Sequence, residues 1–76
     1  MRDRRRTARL SRLVDRLQDA TDPLDQARIA AEIREVSESI MADCTREANQ
    51  AGRTWREIGA SLGIPFQTLY RRYGSE

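Results

Sequence analysis

Between Pro23 and Gly52 the chain contains no glycine or proline, and within that run Ile29, Ile33, Val36 and Ile40 recur at intervals of four, three and four. Such spacing puts the four side chains on one seam of an α-helix. A single helix over the run is roughly 29 residues and ~43 Å long at ~1.5 Å per residue. Its start is marked by Asp22 and Pro23, a capping carboxylate followed by a residue tolerated at the first helical position; Thr21 is a competing cap. Gly52 suits the position just past its end, where φ is positive. Ala30, Met41, Cys44, Ala48 and Ala51 extend the apolar surface, with a change of face near Met41. In a chain of 76 residues a helix this long must have the remaining segments packed along it.

Upstream, Leu10, Leu13, Val14 and Leu17 fall at i, i+3, i+4 and i+7 and predict a first helix over residues 3–19. Arg9, Arg12 and Arg16 lie off that stripe. Arg4, Arg5 and Arg6 sit at the helix start, where the macrodipole disfavours cations, so these first residues are expected to fray or to form an arm. The two apolar stripes predict a hairpin, with residues 1–40 comprising a basic N-terminal helix and the first part of the long one. A core this small favours a partner chain, so Leu10, Leu13, Leu17, Ile29, Ile33, Val36 and Ile40 are expected to form a dimerisation surface. A hairpin closed within one monomer is the alternative. Strand signals are absent: no β-branched alternation occurs and aromatics make up only 5%.

Charge is segregated along the chain. Residues 1–17 hold seven arginines against two aspartates, a net +5; residues 18–51 hold three arginines against eight acids, a net −5; residues 52–76 hold four arginines against two glutamates, a net +2. Basic ends around an acidic middle suggest a nucleic-acid partner, with solvated helix faces as the plainer explanation. All 14 basic residues are arginine, whose planar fork suits phosphate and guanine and whose exclusive use suggests a GC-rich coding sequence. No histidine and a single cysteine, Cys44, argue against a zinc site or a disulfide framework. No apolar run approaches the ~20 residues that span a bilayer, and the basic N-terminus lacks the apolar stretch of a signal peptide. No cofactor, metal or membrane partner is expected, and the expected location is cytoplasmic, associated with the nucleoid. Catalysis finds no nucleophile–base pair and no phosphate-cradling glycine loop.

After Gly52 the pattern shortens. Thr54 and Glu57 are spaced as a capping box. A short helix follows, with Trp55, Ile58 and Leu62 facing inward and Gly59 small at a crossing. Gly63 stops it, Ile64 anchors the turn, and Pro65 opens a second short helix carrying Phe66, Leu69, Tyr70 and Tyr73. Residues 54–73, Thr-Trp-Arg-Glu-Ile-Gly-Ala-Ser-Leu-Gly-Ile-Pro-Phe-Gln-Thr-Leu-Tyr-Arg-Arg-Tyr, resemble the helix-turn-helix of small bacterial DNA-binding proteins of an actinobacterial type. More distantly they are similar to sigma-factor region 4. The resemblance implies an all-α fold: N-terminal helix, long central helix and C-terminal helix-turn-helix, with residues 41–76 forming a trihelical unit.

In such proteins the second short helix enters the major groove. The resemblance therefore places Phe66, Gln67, Thr68, Tyr70 and Arg71 towards DNA, with Gln67 suited to adenine, Arg71 to guanine, and Thr68 to a thymine methyl or a phosphate. Arg53, Arg56 and Arg72 are placed for phosphate, and Tyr70 to bond one through its hydroxyl. Many relatives carry Ser-Arg or Thr-Arg where this chain has Pro65-Phe66; Phe66 either packs on a thymine methyl or belongs to a core or partner contact. Arg2, Arg4, Arg5 and Arg6 either follow phosphates or bind an acidic partner. The implied function is a sequence-specific double-stranded DNA-binding regulator of transcription, a homodimer on a palindrome with recognition helices ~34 Å or a multiple apart. The alternatives are an adaptor docking on a protein of the transcription machinery and a nonspecific architectural DNA-binding protein.

Overall fold

The computed structural model describes residues 4–74. Asp3, where the periodicity begins the first helix, and Arg2 of the arginine cluster lie outside the described residues. Four α-helices follow one another, α1 (Arg4–Asp19), α2 (Pro23–Gln50), α3 (Trp55–Leu62) and α4 (Phe66–Leu69), and a π-helical turn, Tyr70–Gly74, continues directly from α4. No strand occurs among the described residues, so the fold is all-α. The chain divides into two compact units, Met1–Ile40 and Met41–Glu76, and α2 contributes residues to both.

In the first unit α1 and the N-terminal part of α2 pack as an antiparallel hairpin. Leu13, Ile29 and Val36 are buried, with Leu10, Leu17, Ala20, Ile33 and Ile40 packed around them. The connection is held by hydrogen bonds that α2's first turn would otherwise lack. The Asp25 N–H donates to Asp22 Oδ2 at 3.3 Å, so Asp22 rather than Thr21 is the cap, and Gln26 Nε2 donates to the Ala20 carbonyl at 2.9 Å. Two polar contacts fix the helix directions. Arg6 Nη1 donates to Ser39 Oγ at 2.8 Å, and Arg16 Nη1 lies 3.7 Å from Glu32 Oε1.

Two sequence-predicted features of this unit differ in the structure. Arg4, Arg5 and Arg6 belong to α1 and not to a frayed arm, and Arg6 is tied to α2. Val14 is 44% exposed, because the stripe meeting α2 is narrower than the i, i+3, i+4 pattern suggests. Leu13, Ile29 and Val36, expected in the hairpin and at a dimer surface, are covered within one chain by the hairpin itself.

The second unit is built around Ile58, Leu69 and Tyr73, with Met41, Ala42, Ala48, Trp55 and Ile64 packed against them. Its start is pinned at the end of α2, where the Arg53 N–H donates to the Ala48 carbonyl at 3.0 Å and Asn49 Nδ2 to the Arg53 carbonyl at 2.8 Å. Gly63 ends α3 in the left-handed region at φ 72, ψ 28, and its N–H bonds the Gly59 carbonyl. The Ile64 N–H shares that carbonyl at 3.0 Å. Pro65 is the extended N-cap of α4 (ψ 137) and not its first residue. Its carbonyl accepts from Thr68 and Leu69 at 3.0 and 3.2 Å.

Gly59 is the point of closest approach in this turn. A Cβ there would lie 2.5 Å from the Ile64 carbonyl oxygen and 3.3 Å from the Phe66 nitrogen, both backbone atoms that cannot rotate away. Leu62, expected in the core, is instead 41% exposed. It lines an open apolar groove with Met41, Cys44, Ala48 and Ser61, because the turn at Gly63 carries α4 across the Ile58–Gly59 face. Thr45, which hydropathy would put at the surface, is buried at 4% exposure.

These contacts rank two substitutions. Gly63→Ala meets no neighbouring atom and should cost about 1–2 kcal/mol of left-handed strain. Gly59→Ala must push backbone aside and should cost about 3 kcal/mol or more. Urea unfolding followed by the fluorescence of Trp55 checks this order; equal costs would contradict the close approach.

Candidate nucleic-acid interface

The exposed face of α4 and its π-helical continuation follows from what the segment buries. Leu69 and Tyr73, four apart, are buried, and Gln67 before them and Tyr70, Arg71 and Arg72 between them are exposed. Gln67, Tyr70 and Arg71 stand at i, i+3 and i+4, all exposed, with Arg72 exposed beside them. Phe66 and Thr68, also expected to face DNA, are half-buried at the flanks of this surface. Arg53 and Arg56, expected at phosphates, are exposed on the same unit, whereas Arg4, Arg5 and Arg6 belong to the other unit.

Two ring contacts organise the surface. The Arg56 guanidinium carbon lies 4.1 Å from the centroid of Phe66, a cation–π stack of about 0.5–1 kcal/mol at an exposed position. A guanidinium that stacks by its face keeps its in-plane N–H donors available for a further partner. Trp55 and Tyr70 meet edge to face at 6.3 Å and 81°. The second contact closes over Gly74, where a Cβ would come within 2.6 Å of Tyr70 Cδ1 and 3.2 Å of Trp55 Cζ2. A further ring contact in this unit sets Arg46 5.5 Å from the Tyr73 ring centroid.

The two pairs bound an open, largely apolar cleft of about 550 Å³ lined by Thr54, Trp55, Arg56, Phe66, Gln67 and Tyr70. Thr54 and Trp55 were not among the site residues read from the sequence. The signal for them was the capping box, which fixes both at the first turn of α3. Thr54 Oγ1 accepts from the Glu57 N–H at 3.0 Å, and Glu57 Oε1 accepts from the Thr54 N–H at 2.9 Å. The box also matters electrostatically. Glu57 is the one carboxylate among the described residues after position 52, held on the Thr54 N–H, and the four arginines Arg53, Arg56, Arg71 and Arg72 outnumber it. No cluster of three His, Cys, Asp or Glu side chains suited to a metal occurs among the described residues. No described helix is long and apolar enough to cross a membrane.

Comparison of the chain with protein-family profiles, with characterised proteins and with solved structures finds no match.

Thr54→Ala should remove the half of the box that Oγ1 accepts, leaving the backbone N–H of residue 54 on Glu57 Oε1, and cost about 1 kcal/mol. Chemical denaturation read through Trp55 measures it, and a change within about 0.3 kcal/mol of zero, below the usual cost of a lost cap, would mean the box does not hold the first turn of α3.

Proposed function

We propose that this chain binds double-stranded DNA sequence-specifically and regulates transcription, using α3, the Gly63 turn and α4 with its π-helical continuation as a helix-turn-helix. The observation that carries the reading is the division of the last segment. Leu69 and Tyr73 anchor it to the core, while Gln67, Tyr70 and Arg71 share one outward face among arginines. A helix so anchored can lie in a major groove ~12 Å wide without giving up its packing.

In this reading Gln67 bonds adenine N6 and N7, and Arg71 bonds guanine O6 and N7. Arg53 and Arg72, and the in-plane donors of Arg56, meet phosphate, as does the Tyr70 hydroxyl. Two copies would read a palindrome, with contact between copies falling to the half-exposed Leu10, Leu17, Ile33 and Ile40 and not to the buried Ile29 and Val36. In this reading the chain acts by binding.

A second reading has one observation of its own. The groove beside Leu62, about 510 Å³ and mostly apolar, suits an adaptor that docks on a protein of the transcription machinery.

Selection from a random duplex library, followed by titration at fixed salt, separates the two. A sequence-specific regulator should return a palindromic motif, with Gln67→Ala and Arg71→Ala each losing about 1–3 kcal/mol and Arg72→Ala lowering the salt slope by about 1. Recovery of no motif, or Arg71→Ala binding like the unaltered chain, would favour the adaptor.

A further inference from the structure

We propose that the cleft between the first turn of α3 and α4 receives the 5-methyl group of a thymine in the major groove, that Phe66 is the ring that reads it, and that Arg56 is a positioning residue holding Phe66 in place. This rests on the DNA-binding reading above and deepens it by naming the base edge and the side chains that discriminate it.

The cleft is open and largely apolar, so it suits a small hydrophobic group presented from outside and not an engulfed ligand. Its walls are held. Arg56 covers one face of the Phe66 ring at 4.1 Å, and Tyr70, 53% exposed, is braced edge-on against Trp55. Gly74 has no side chain to displace the Tyr70 ring. Half-buried Phe66 thus has one part of its surface fixed and another facing the cleft.

Charge narrows the occupant. Arg56 is the charged member of the cleft's lining, and Arg53, Arg71 and Arg72 are exposed elsewhere on the unit, outnumbering Glu57, the one carboxylate among the described residues after position 52, so the complementary partner is anionic. That partner must also bring an apolar group into the cleft. Of the groups that base pairs present in the major groove, the thymine C5-methyl is the apolar one. Gln67 lines the same cleft with an amide suited to adenine N6 and N7. The methyl therefore belongs to a thymine at or next to the base pair that Gln67 contacts.

The test takes the duplex recovered by selection and replaces each thymine in turn with deoxyuridine, which removes the methyl and nothing else. Affinity is measured by fluorescence anisotropy at fixed salt for the unaltered chain, Phe66→Ala and Arg56→Ala, with circular dichroism confirming that each is folded. Burial of one methyl is expected to appear as a loss of about fourfold at one thymine in each half-site. That difference should vanish in Phe66→Ala and shrink in Arg56→Ala, whose exposed side chain can be removed without opening the core. If deoxyuridine is tolerated everywhere while the duplex still binds, the inference is overturned and the DNA-binding reading stands. A methyl effect that persists in both variants overturns it as well, since the methyl would then be read elsewhere. If no duplex is bound, inference and reading fall together.

Discussion

The second unit depends on the contact at Gly59, where the chain returns so closely that a single Cβ would meet the Ile64 carbonyl at 2.5 Å. Gly63 supplies the left-handed residue that reverses the chain, and the Gly59 carbonyl accepts from both Gly63 and Ile64. This brings α4 across α3 and buries Leu69 almost completely, at 1% exposure. Once Leu69 and Tyr73 are committed to the core, the outward positions of the segment are fixed as Gln67, Tyr70 and Arg71. The arrangement of the proposed base-reading side chains is thus a consequence of two glycines that touch no ligand.

The first unit gives the charge pattern a different meaning. A basic N-terminal stretch followed by an acidic one reads as a nucleic-acid signal while the chain is considered linear. In the hairpin the basic helix lies alongside the acidic one: Arg6 bonds Ser39 and Arg16 pairs with Glu32. The Arg16–Glu32 pair is worth little by itself, since its side chains are 61% and 35% exposed and such surface pairs contribute at most about 1 kcal/mol. Opposite charges on the two arms nonetheless favour the antiparallel pairing over alternatives that would align like charges. Part of the arginine excess therefore serves the fold.

The features legible in the sequence were those set by local chemistry. Thr54 and Glu57 announce a capping box by spacing alone, Gly63 a helix stop, Asp22 and Pro23 a helix start, and the Ile29–Val36 seam a helix with one covered face. What escaped depends on which neighbour covers which face. Leu62 is four residues after Ile58 and looks like core, yet the turn carries α4 to the other side and leaves it in an open groove. Thr45 carries a hydroxyl that hides its burial from any hydropathy pattern. The π-helical turn at Tyr70–Gly74 was not legible either, since five residues cannot distinguish its period from that of an α-helix. At the candidate site the exposed Gln67, Tyr70 and Arg71 were foreseen, but the Arg56–Phe66 stack and the cleft it borders exist only once α3 and α4 are brought together.

The most direct test of DNA recognition by the α4 face is a titration of the isotopically labelled chain with a selected duplex, followed residue by residue through backbone amide resonances. The expected result is a set of shifts concentrated at 53–56 and 66–72, strongest at Gln67 and Arg71, with the buried hairpin positions Leu13, Ile29 and Val36 little changed. Shifts confined to the groove beside Leu62 or to residues 4–40, or no shifts at all at concentrations where DNA is in excess, would contradict it.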